Sequence, residues 1–236
     1  MIETKRIGKL TCNFVNMGSP HICYFLAPIP LDGRRITEYA KCYSYTIVVV
    51  HGMDWDNDLT PWPAPGVFPG DEHFKGGAKD LLAFLQREMM PEIELALDVA
   101  YGVERTLAGI SLSGVFALWA WIHCDVFTNI GSISGSFWYD GFADWLSNMD
   151  KPSKSGYAYL SLGDKEGKDT NPRYRTVERD TVRIAETLRE AGIRTMYQMT
   201  SGTHFAPVYP RLEKMFQGFM ELKDNTHYLT TRDKER

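Results

Sequence analysis

The sequence predicts an α/β fold with a mostly parallel central sheet, an N-terminal antiparallel hairpin and helices on both faces of the sheet. The run Tyr45–Val50 is short, apolar and β-branched, which is typical of a strand buried on both faces. Further along, apolar strand-like runs alternate with amphipathic segments, an order that favours parallel strands joined by crossover helices. A chain of 236 residues can bury one large core, so we expect a single domain over 1–236.

The first half of the chain supplies a hairpin region, one buried strand and a long helix. Residues 1–44 predict a β-hairpin region with a turn at Asp32-Gly33, because Asp-Gly is a frequent turn dipeptide. The aromatic and proline-rich segment 51–77 is expected to be a loop. Apolar residues then recur at helical spacing over 78–99, and Pro91 is expected to kink or split that helix.

The second half alternates strands and helices after a strand that leads into Ser111. The remaining predicted elements are a helix over 115–124, strands over 128–134 and 157–162, a helix over 174–191 and a strand over 195–200. Segment 137–150 is expected to form a cap or loop, and 224–236 a polar tail. In a parallel sheet, reactive groups gather at the carboxyl ends of the strands, so the residues that follow each strand are the candidates for chemistry.

Composition and charge exclude several classes of protein. The formal net charge of −4, with both signs interspersed and no basic stripe, argues against a nucleic-acid partner. The charged N-terminal segment and the lack of an apolar run of ~18 residues predict no membrane partner and a cytoplasmic location. The cysteines lack Cys-x-x-Cys spacing and no histidines are spaced as metal ligands, so we expect reduced, mostly buried thiols and no metal site. The cysteines are Cys12, Cys23, Cys42 and Cys124.

The most informative motif is a strand-like run, a sharp turn at Ser111 and a helix-like run. Gly109 and Gly114 flank the serine where a side chain would block a tight turn. Such a turn projects the hydroxyl of Ser111 as a nucleophile and leaves the N–H of Leu112 facing an oxyanion. Ser113 stands where the Gly-x-Ser-x-Gly pattern has its last glycine. The alternative interpretation is a glycine-rich turn in which Ser111 or Ser113 only caps the helix.

Two later loops offer partners for the serine. His204 follows the last predicted strand, where a neutral imidazole can take the proton of Ser111; the alternative is a surface histidine. The loop 163–169 offers three carboxylates to orient that imidazole. We favour Glu166, because the loop length lets it reach the histidine loop, then Asp164 and lastly Asp169. Asp164 could instead pin its own loop, and a solvated charged loop is the remaining alternative.

The turn after the first buried strand is expected to complete the site. Met53 is our candidate for the second oxyanion donor, because a flexible His-Gly pair precedes it. His51 and Asp54 of the same turn are candidates for contact with substrate, although we favour a packed and hydrogen-bonded structural role for His51. Trp55 and Trp138 lie on loops at the reactive edge and are expected to wall an acyl or aryl pocket.

These motifs resemble those of the putative-esterase branch of the α/β-hydrolase superfamily, which includes enterochelin esterases, S-formylglutathione hydrolase and feruloyl esterases. The similar segments are Ala108–Gly114, Gly131–Trp138, Ser161–Glu166 and Gly202–Phe205. The resemblance covers about 45–219, and the chain order of serine, acid and histidine is the one that α/β-hydrolases use. It implies the α/β-hydrolase fold and a serine esterase without a cofactor.

The expected activity is hydrolysis of a small-molecule carboxylic ester through an acyl-enzyme intermediate. Two alternatives use the same fold. One is an acyltransferase, in which an alcohol replaces water, and it is motivated by the aromatic loops. The other is a non-catalytic binding protein on a hydrolase scaffold. The aromatic loops fit an aryl ester, a siderophore lactone or a thioester equally well.

Overall fold

An eight-stranded, mostly parallel sheet organises the part of the chain that the computed structural model describes, residues 2–100, 102–168 and 171–232. The strands of this sheet are β1 (Glu3–Ile7), β2 (Leu10–Val15), β3 (His21–Leu26), β4 (Thr46–His51), β7 (Glu104–Ile110), β8 (Asn129–Ile133), β9 (Tyr157–Gly163) and β10 (Arg194–Thr200). Two short strands, β5 (Pro63–Ala64) and β6 (Phe74–Lys75), pair separately in the long loop after β4.

The strand order is β1-β2-β4-β3-β7-β8-β9-β10. The N-terminal pairs β1–β2 and β2–β4 are antiparallel, and all pairs from β4 to β10 are parallel. β3 therefore lies between β4 and β7, although β4 follows β3 in the chain. This inversion decides which loops lie beside the end of β7.

Helices cover both faces of the sheet. They are α1 (Gly33–Tyr43), α2 (Trp55–Asp58), α3 (Ala78–Phe84), α4 (Met90–Ala96), α5 (Leu112–His123), α6 (Phe142–Asn148), α7 (Val177–Glu190) and α8 (Val208–Arg232). Apolar side chains of α1 and α8 pack in one core, and those of α3 to α7 pack in the other. Every residue of α5 from Leu112 to Trp121 is buried, because that helix crosses β7 and β8 beneath other helices.

The turn predicted at Asp32-Gly33 is wrong. Asp32 is instead the N-cap of α1, and its carboxylate accepts the N–H of Arg34 at 2.8 Å. Asp and Gly favour both turns and helix N-termini, so the dipeptide could not separate the two. The hairpin within 1–44 is formed by β1 and β2, with a turn at Gly8 in the left-handed region (φ 56°).

The long helix predicted over 78–99 is helical from 78 to 96 but not regular. A π-helical turn, Leu85–Met89, joins α3 to α4, and Pro91 lies in the first turn of α4. Proline lacks an N–H and crowds the preceding turn, which the wider π turn accommodates. The predicted interruption at Pro91 therefore takes the form of a change in helical pitch.

Other segments depart from expectation in smaller ways. Segment 137–150 contains α6, and 224–232 continue α8, while 233–236 lie outside the described residues. All four cysteines are free, but Cys42 is exposed, in contrast to the predicted mostly buried thiols. In the described part of the chain, the helices are too short or too polar to cross a bilayer.

Candidate active site

Ser111 lies in a strained turn between β7 and α5. Its backbone has φ 60° and ψ −127°, a conformation that costs a residue with a side chain about 1–3 kcal/mol. The glycines on either side make room for the turn. A β-carbon at Gly109 would lie 2.5 Å from the backbone of Ser113, and one at Gly114 would lie 2.5 Å from Ser132 Oγ. The turn therefore has the strained, exposed geometry of a nucleophile elbow.

Ser113 is fully buried and ties the turn to the neighbouring strand. Its hydroxyl accepts the N–H of Ile110 at 2.8 Å and lies within donating distance of Leu26 O, also at 2.8 Å. Leu26 ends β3 and Ile110 ends β7. Ser113 therefore holds the β7–α5 turn against β3 instead of facing the site, which explains why a serine occupies the position of the expected glycine.

The structure brings Ser111, His204 and Glu166 into one hydrogen-bonded chain. His204 Nε2 lies 3.0 Å from Ser111 Oγ, and His204 Nδ1 lies 2.8 Å from Glu166 Oε2. The Glu166 side chain is 3% exposed and that of His204 is 31% exposed. A carboxylate on Nδ1 favours the tautomer with the proton on Nδ1, which leaves the lone pair of Nε2 toward the serine.

Glu166 is stabilised in its ionised form despite its burial. Burial raises the pKa of its carboxyl group, but the hydrogen bond and charge of His204, with bonds from Ser134 and from the N–H of Gly163, outweigh that effect. The net pKa therefore lies below the usual value for glutamate. The acid remains a charged hydrogen-bond acceptor at neutral pH, as orientation of an imidazole requires.

The two other carboxylates of this loop have different outcomes. Asp164 Oδ1 accepts the N–H of Gly202 at 2.8 Å, and Asp164 N donates to Thr200 O at 2.8 Å. Asp164 thus pins the acid loop to the histidine loop, whereas the alternative that the sequence offered was that Asp164 pins its own loop. Asp169 lies outside the described residues.

The residues beside Ser111 supply further polar groups. Leu112 begins α5, and none of the described residues accepts a hydrogen bond from its N–H. Ser136, which the sequence analysis did not single out, has its Oγ 3.1 Å from Ser111 Oγ and donates its own N–H to Ser111 O at 3.1 Å. Its only sequence signal was its place just after β8, at the reactive edge.

The structure does not support Met53 as an oxyanion donor. Met53 follows β4, and β3 separates β4 from β7. The turn after β4 packs toward β2 and not toward β7, because a β-carbon at Gly52 would lie 2.8 Å from Lys9 O, directly before β2. His51 also faces β2, where its Nε2 lies 3.0 Å from Asn13 Oδ1. Met53, His51 and Asp54 are not among the described residues that line the cavity at Ser111.

A cavity of about 400 Å³ opens at Ser111. Its apolar wall includes Trp55, Val67, Phe74, Trp138, Tyr174 and Phe205. Trp55 and Trp138 are the two that the sequence analysis placed there. Asp56 lines the cavity in place of Asp54, and burial, with the charges of nearby carboxylates, raises its pKa. The described residues contain no group of three or more metal-ligating side chains.

The family follows from a direct match. A family model described as "Putative esterase" matches residues 34–210. The chain belongs to this esterase family. The match covers the predicted nucleophile, acid and histidine together, and the expected family and α/β-hydrolase fold are confirmed.

Relatives and solved structures agree with this assignment. This chain is 28% identical over 150 residues to "Uncharacterized protein YbbA" of Bacillus subtilis (strain 168), and the alignment covers 61% of this chain and 60% of that protein. The siderophore hydrolase EstA from Aspergillus nidulans superposes with a TM-score of 0.64 at 20% identity, covering 95% of this chain and 94% of that one. The enterobactin esterase FES from Shigella flexneri gives 0.68 at 15% identity, covering 96% and 60%. These likenesses show the shared fold.

One arginine of this esterase-family chain holds the cavity wall together. Arg173 Nη1 donates to Pro65 O at 2.9 Å and to Gly66 O at 2.8 Å, and Nη2 pairs with Asp140 at 3.0 Å. Its guanidinium also lies 5.2 Å from the ring centre of Trp138. Arg173 thus joins the loop after β4 to the loop after β8, a role that no periodic pattern in the sequence indicates.

Proposed function

We propose that the protein is a serine esterase that hydrolyses a carboxylic ester through an acyl-enzyme intermediate. The observation that carries the proposal is the hydrogen-bonded chain Ser111–His204–Glu166, with distances of 3.0 and 2.8 Å, at the strained turn. Membership of an esterase family supports the ester bond as the target. The three side chains match in geometry and chain order the triad of α/β-hydrolases.

The reaction follows from the positions of the three groups. His204 Nε2 takes the proton of Ser111 as Oγ attacks the ester carbonyl, and Glu166 holds the resulting imidazolium through Nδ1–H. His204 then gives the proton to the departing alcohol, which leaves an acyl-enzyme on Ser111. A water molecule, deprotonated by His204, attacks that acyl group and releases the acid and the free serine.

The oxyanion of each tetrahedral intermediate needs two N–H donors. Leu112 N–H is one, at the N-terminus of α5. Because β3 is the strand beside β7, the loop 27–32 after β3 is the expected source of the second. Two of its residues are prolines, and the N–H groups of Ala27 and Asp32 are already bonded. The remaining donors of this loop are those of Ile29 and Leu31.

The substrate class follows from the wall of the cavity. We therefore propose a substrate that carries an aryl or short acyl group. Aromatic side chains supply most of the apolar wall, and a cavity of about 400 Å³ accommodates one such group. Solved structures of the same fold include a ferulic acid esterase and an enterobactin esterase in the presence of 2,3-dihydroxy-N-benzoyl-glycine. Both names refer to molecules that carry an aromatic ring.

Covalent labelling tests the nucleophile. A fluorophosphonate should add once to the protein, and peptide mapping should find the adduct on Ser111, because His204 activates only that hydroxyl. Ser111→Ala should abolish both the adduct and the hydrolysis of p-nitrophenyl esters. Ser147→Ala, on α6 outside the cavity, is the matched control and should label normally. Hydrolysis that persists in Ser111→Ala would contradict the proposal that Ser111 is the nucleophile.

A pair of isosteric substitutions tests the acid. Glu166→Gln should lower kcat by on the order of 10⁴-fold, because an amide favours the wrong imidazole tautomer and cannot stabilise the imidazolium. Asp164→Asn is the matched control: its amide oxygen can still accept the N–H of Gly202, so kcat should stay within about tenfold. The reverse ranking in kcat would assign the acid to Asp164.

A further inference from the structure

A buried arginine lies behind the candidate active site. Arg211, in the first turn of α8, is 2% exposed. Its Nη1 donates to Ser134 Oγ at 2.5 Å, and its Nη2 donates to Thr203 O at 2.6 Å. Nη1 also lies 3.4 Å from His204 O and 3.5 Å from Glu166 Oε1. One guanidinium therefore contacts the segments that follow β8, β9 and β10.

This is an unfavourable place for a cation unless its partners compensate. Burial lowers the pKa of Arg211, and the charges of Glu166 and Asp164 oppose that shift. The first turn of a helix is also the positive end of its dipole. The guanidinium must therefore be stabilised by the carboxylate and the carbonyl groups that surround it, and it orders those groups in return.

The backbone around the guanidinium is shaped to admit it. A β-carbon at Gly163 would lie 2.7 Å from Arg211 Nη2 and 2.8 Å from Glu166 Oε1. Ser134 adopts a left-handed conformation, with φ 48°, and presents its hydroxyl to Nη1. A non-glycine residue in that region costs about 1 kcal/mol or more, which the surrounding contacts offset.

Glu166 is shared between the histidine and the arginine. Its Oε2 bonds His204 Nδ1 at 2.8 Å, and its Oε1 faces Arg211 at 3.5 Å. A carboxylate with a cation behind it attracts the imidazole proton less strongly than an uncompensated one. The neighbouring titratable groups are Asp164, Tyr197 of β10 and Glu178 of α7.

We propose that Arg211 is a positioning residue for the reaction: it locks the acid loop to the histidine loop and moderates the negative charge that Glu166 presents to His204. The inference rests on the proposed function, since it assigns Arg211 a role in the same triad. A planar, multidentate guanidinium suits this role, because it reaches several oxygens at once in fixed directions.

Kinetics of Arg211→Met and Arg211→Lys test the role. Arg211→Met should lower kcat on the order of 10²-fold with little change in KM, because the triad loses its alignment while Arg211 itself does not line the cavity. The acid limb of its kcat/KM profile should move to higher pH, since Glu166 then holds the imidazole proton more strongly. Arg211→Lys retains the charge, so the acid limb should return toward the wild-type position.

A double variant tests whether Arg211 acts through Glu166, and a folding measurement separates loss of positioning from loss of the fold. In a Glu166→Gln background, Arg211→Met should move the acid limb less, because the carboxylate charge that it uncovers is absent and only the direct effect of the guanidinium on His204 remains. Circular dichroism verifies that each variant is folded. If Arg211→Met is not, Ser134→Ala, which removes one partner of Nη1, and Arg211→Lys, which keeps the charge without the planar guanidinium, test the alignment alone: both should lower kcat with little change in KM, and wild-type kcat in both would overturn the inference. A folded Arg211→Met enzyme with wild-type kcat and acid limb overturns the inference. Ser111-dependent activity in that enzyme would leave the proposed function standing.

Discussion

At the scale of the residue, Ser113 has a structural role beside a proposed nucleophile. We predict that Ser113→Gly, which restores the usual elbow glycine, lowers the free energy of unfolding by about 2 kcal/mol, because the N–H of Ile110 and Leu26 O lose a buried partner. Urea unfolding measures this change. Fluorophosphonate labelling of Ser111 should persist in the folded variant.

The control for this change is Ser155→Gly, in an exposed loop, which should leave the unfolding free energy within about 0.5 kcal/mol of wild type. A Ser113→Gly protein of unchanged stability that no longer labels would contradict the structural role. In that case the Ser113 hydroxyl would act on the reaction, in spite of its full burial.

The sequence predicts a site residue only where a local pattern, such as the end of a strand, marks its position. Ser111, Glu166 and His204 each follow a strand directly, so a correct list of strands places them at one edge of the sheet. Arg211 has no such signal. It is one cation near the start of an amphipathic helix, a position that usually faces solvent, and only the packing of α8 turns it toward Glu166.

At the scale of the element, strand order explains the error at Met53. The sequence locates β4 correctly as a buried strand, and the turn after it has the flexible glycine of an oxyanion loop. The chain, however, crosses over so that the earlier strand β3 pairs with β7. Sequence position carries no direct record of that inversion, and a donor one strand further from Ser111 does not reach its site.

The cavity wall depends on contacts between loops, and Arg173 is their shared partner. We predict that Arg173→Met raises KM for an aryl ester about tenfold, equivalent to ~1.4 kcal/mol, with a smaller change in kcat. The reason is that Trp138 loses its cation–π partner and the loop at Pro65 loses its hydrogen bond, while the triad keeps its own contacts. Steady-state kinetics with p-nitrophenyl benzoate measures both constants.

Arg179→Met is the matched control for this prediction. Arg179 pairs with its neighbour Asp180 on α7, and its side chain is 73% exposed, so its loss should leave KM unchanged. Equal effects of the two substitutions on KM would indicate an effect of net charge and not of the contacts that Arg173 makes between the two loops. A fall in kcat without a change in KM for Arg173→Met would also contradict a role in the wall.

At the scale of the whole molecule, the two cores bury a set of tyrosine side chains, fully or in part. Burial raises the pKa of each of these groups, to about 12 for Tyr139, Tyr159 and Tyr197. The others with a raised pKa are Tyr24, Tyr39, Tyr43, Tyr45 and Tyr157. Several of these hydroxyls form hydrogen bonds within the fold; that of Tyr159, for example, donates to Gln198 Oε1 at 2.7 Å. The folded protein therefore holds these phenol protons at pH values at which the unfolded chain releases them.

This raised set predicts how the protein responds to alkali. A group whose folded pKa exceeds its unfolded value of 10.0 stabilises the fold at lower pH, and that contribution disappears as pH rises above 10. The chain has twelve tyrosines, and we expect the tyrosinate absorbance at 295 nm of these eight to appear together with unfolding, in one cooperative step. Tyr159→Phe removes one such group. The difference in unfolding free energy between wild type and this variant should therefore shrink as pH rises, by at most about 3 kcal/mol for a two-unit shift. Tyrosinate absorbance equivalent to more than the four other tyrosines, developing near pH 10 in a protein still folded by circular dichroism, would mean that solvent reaches these hydroxyls.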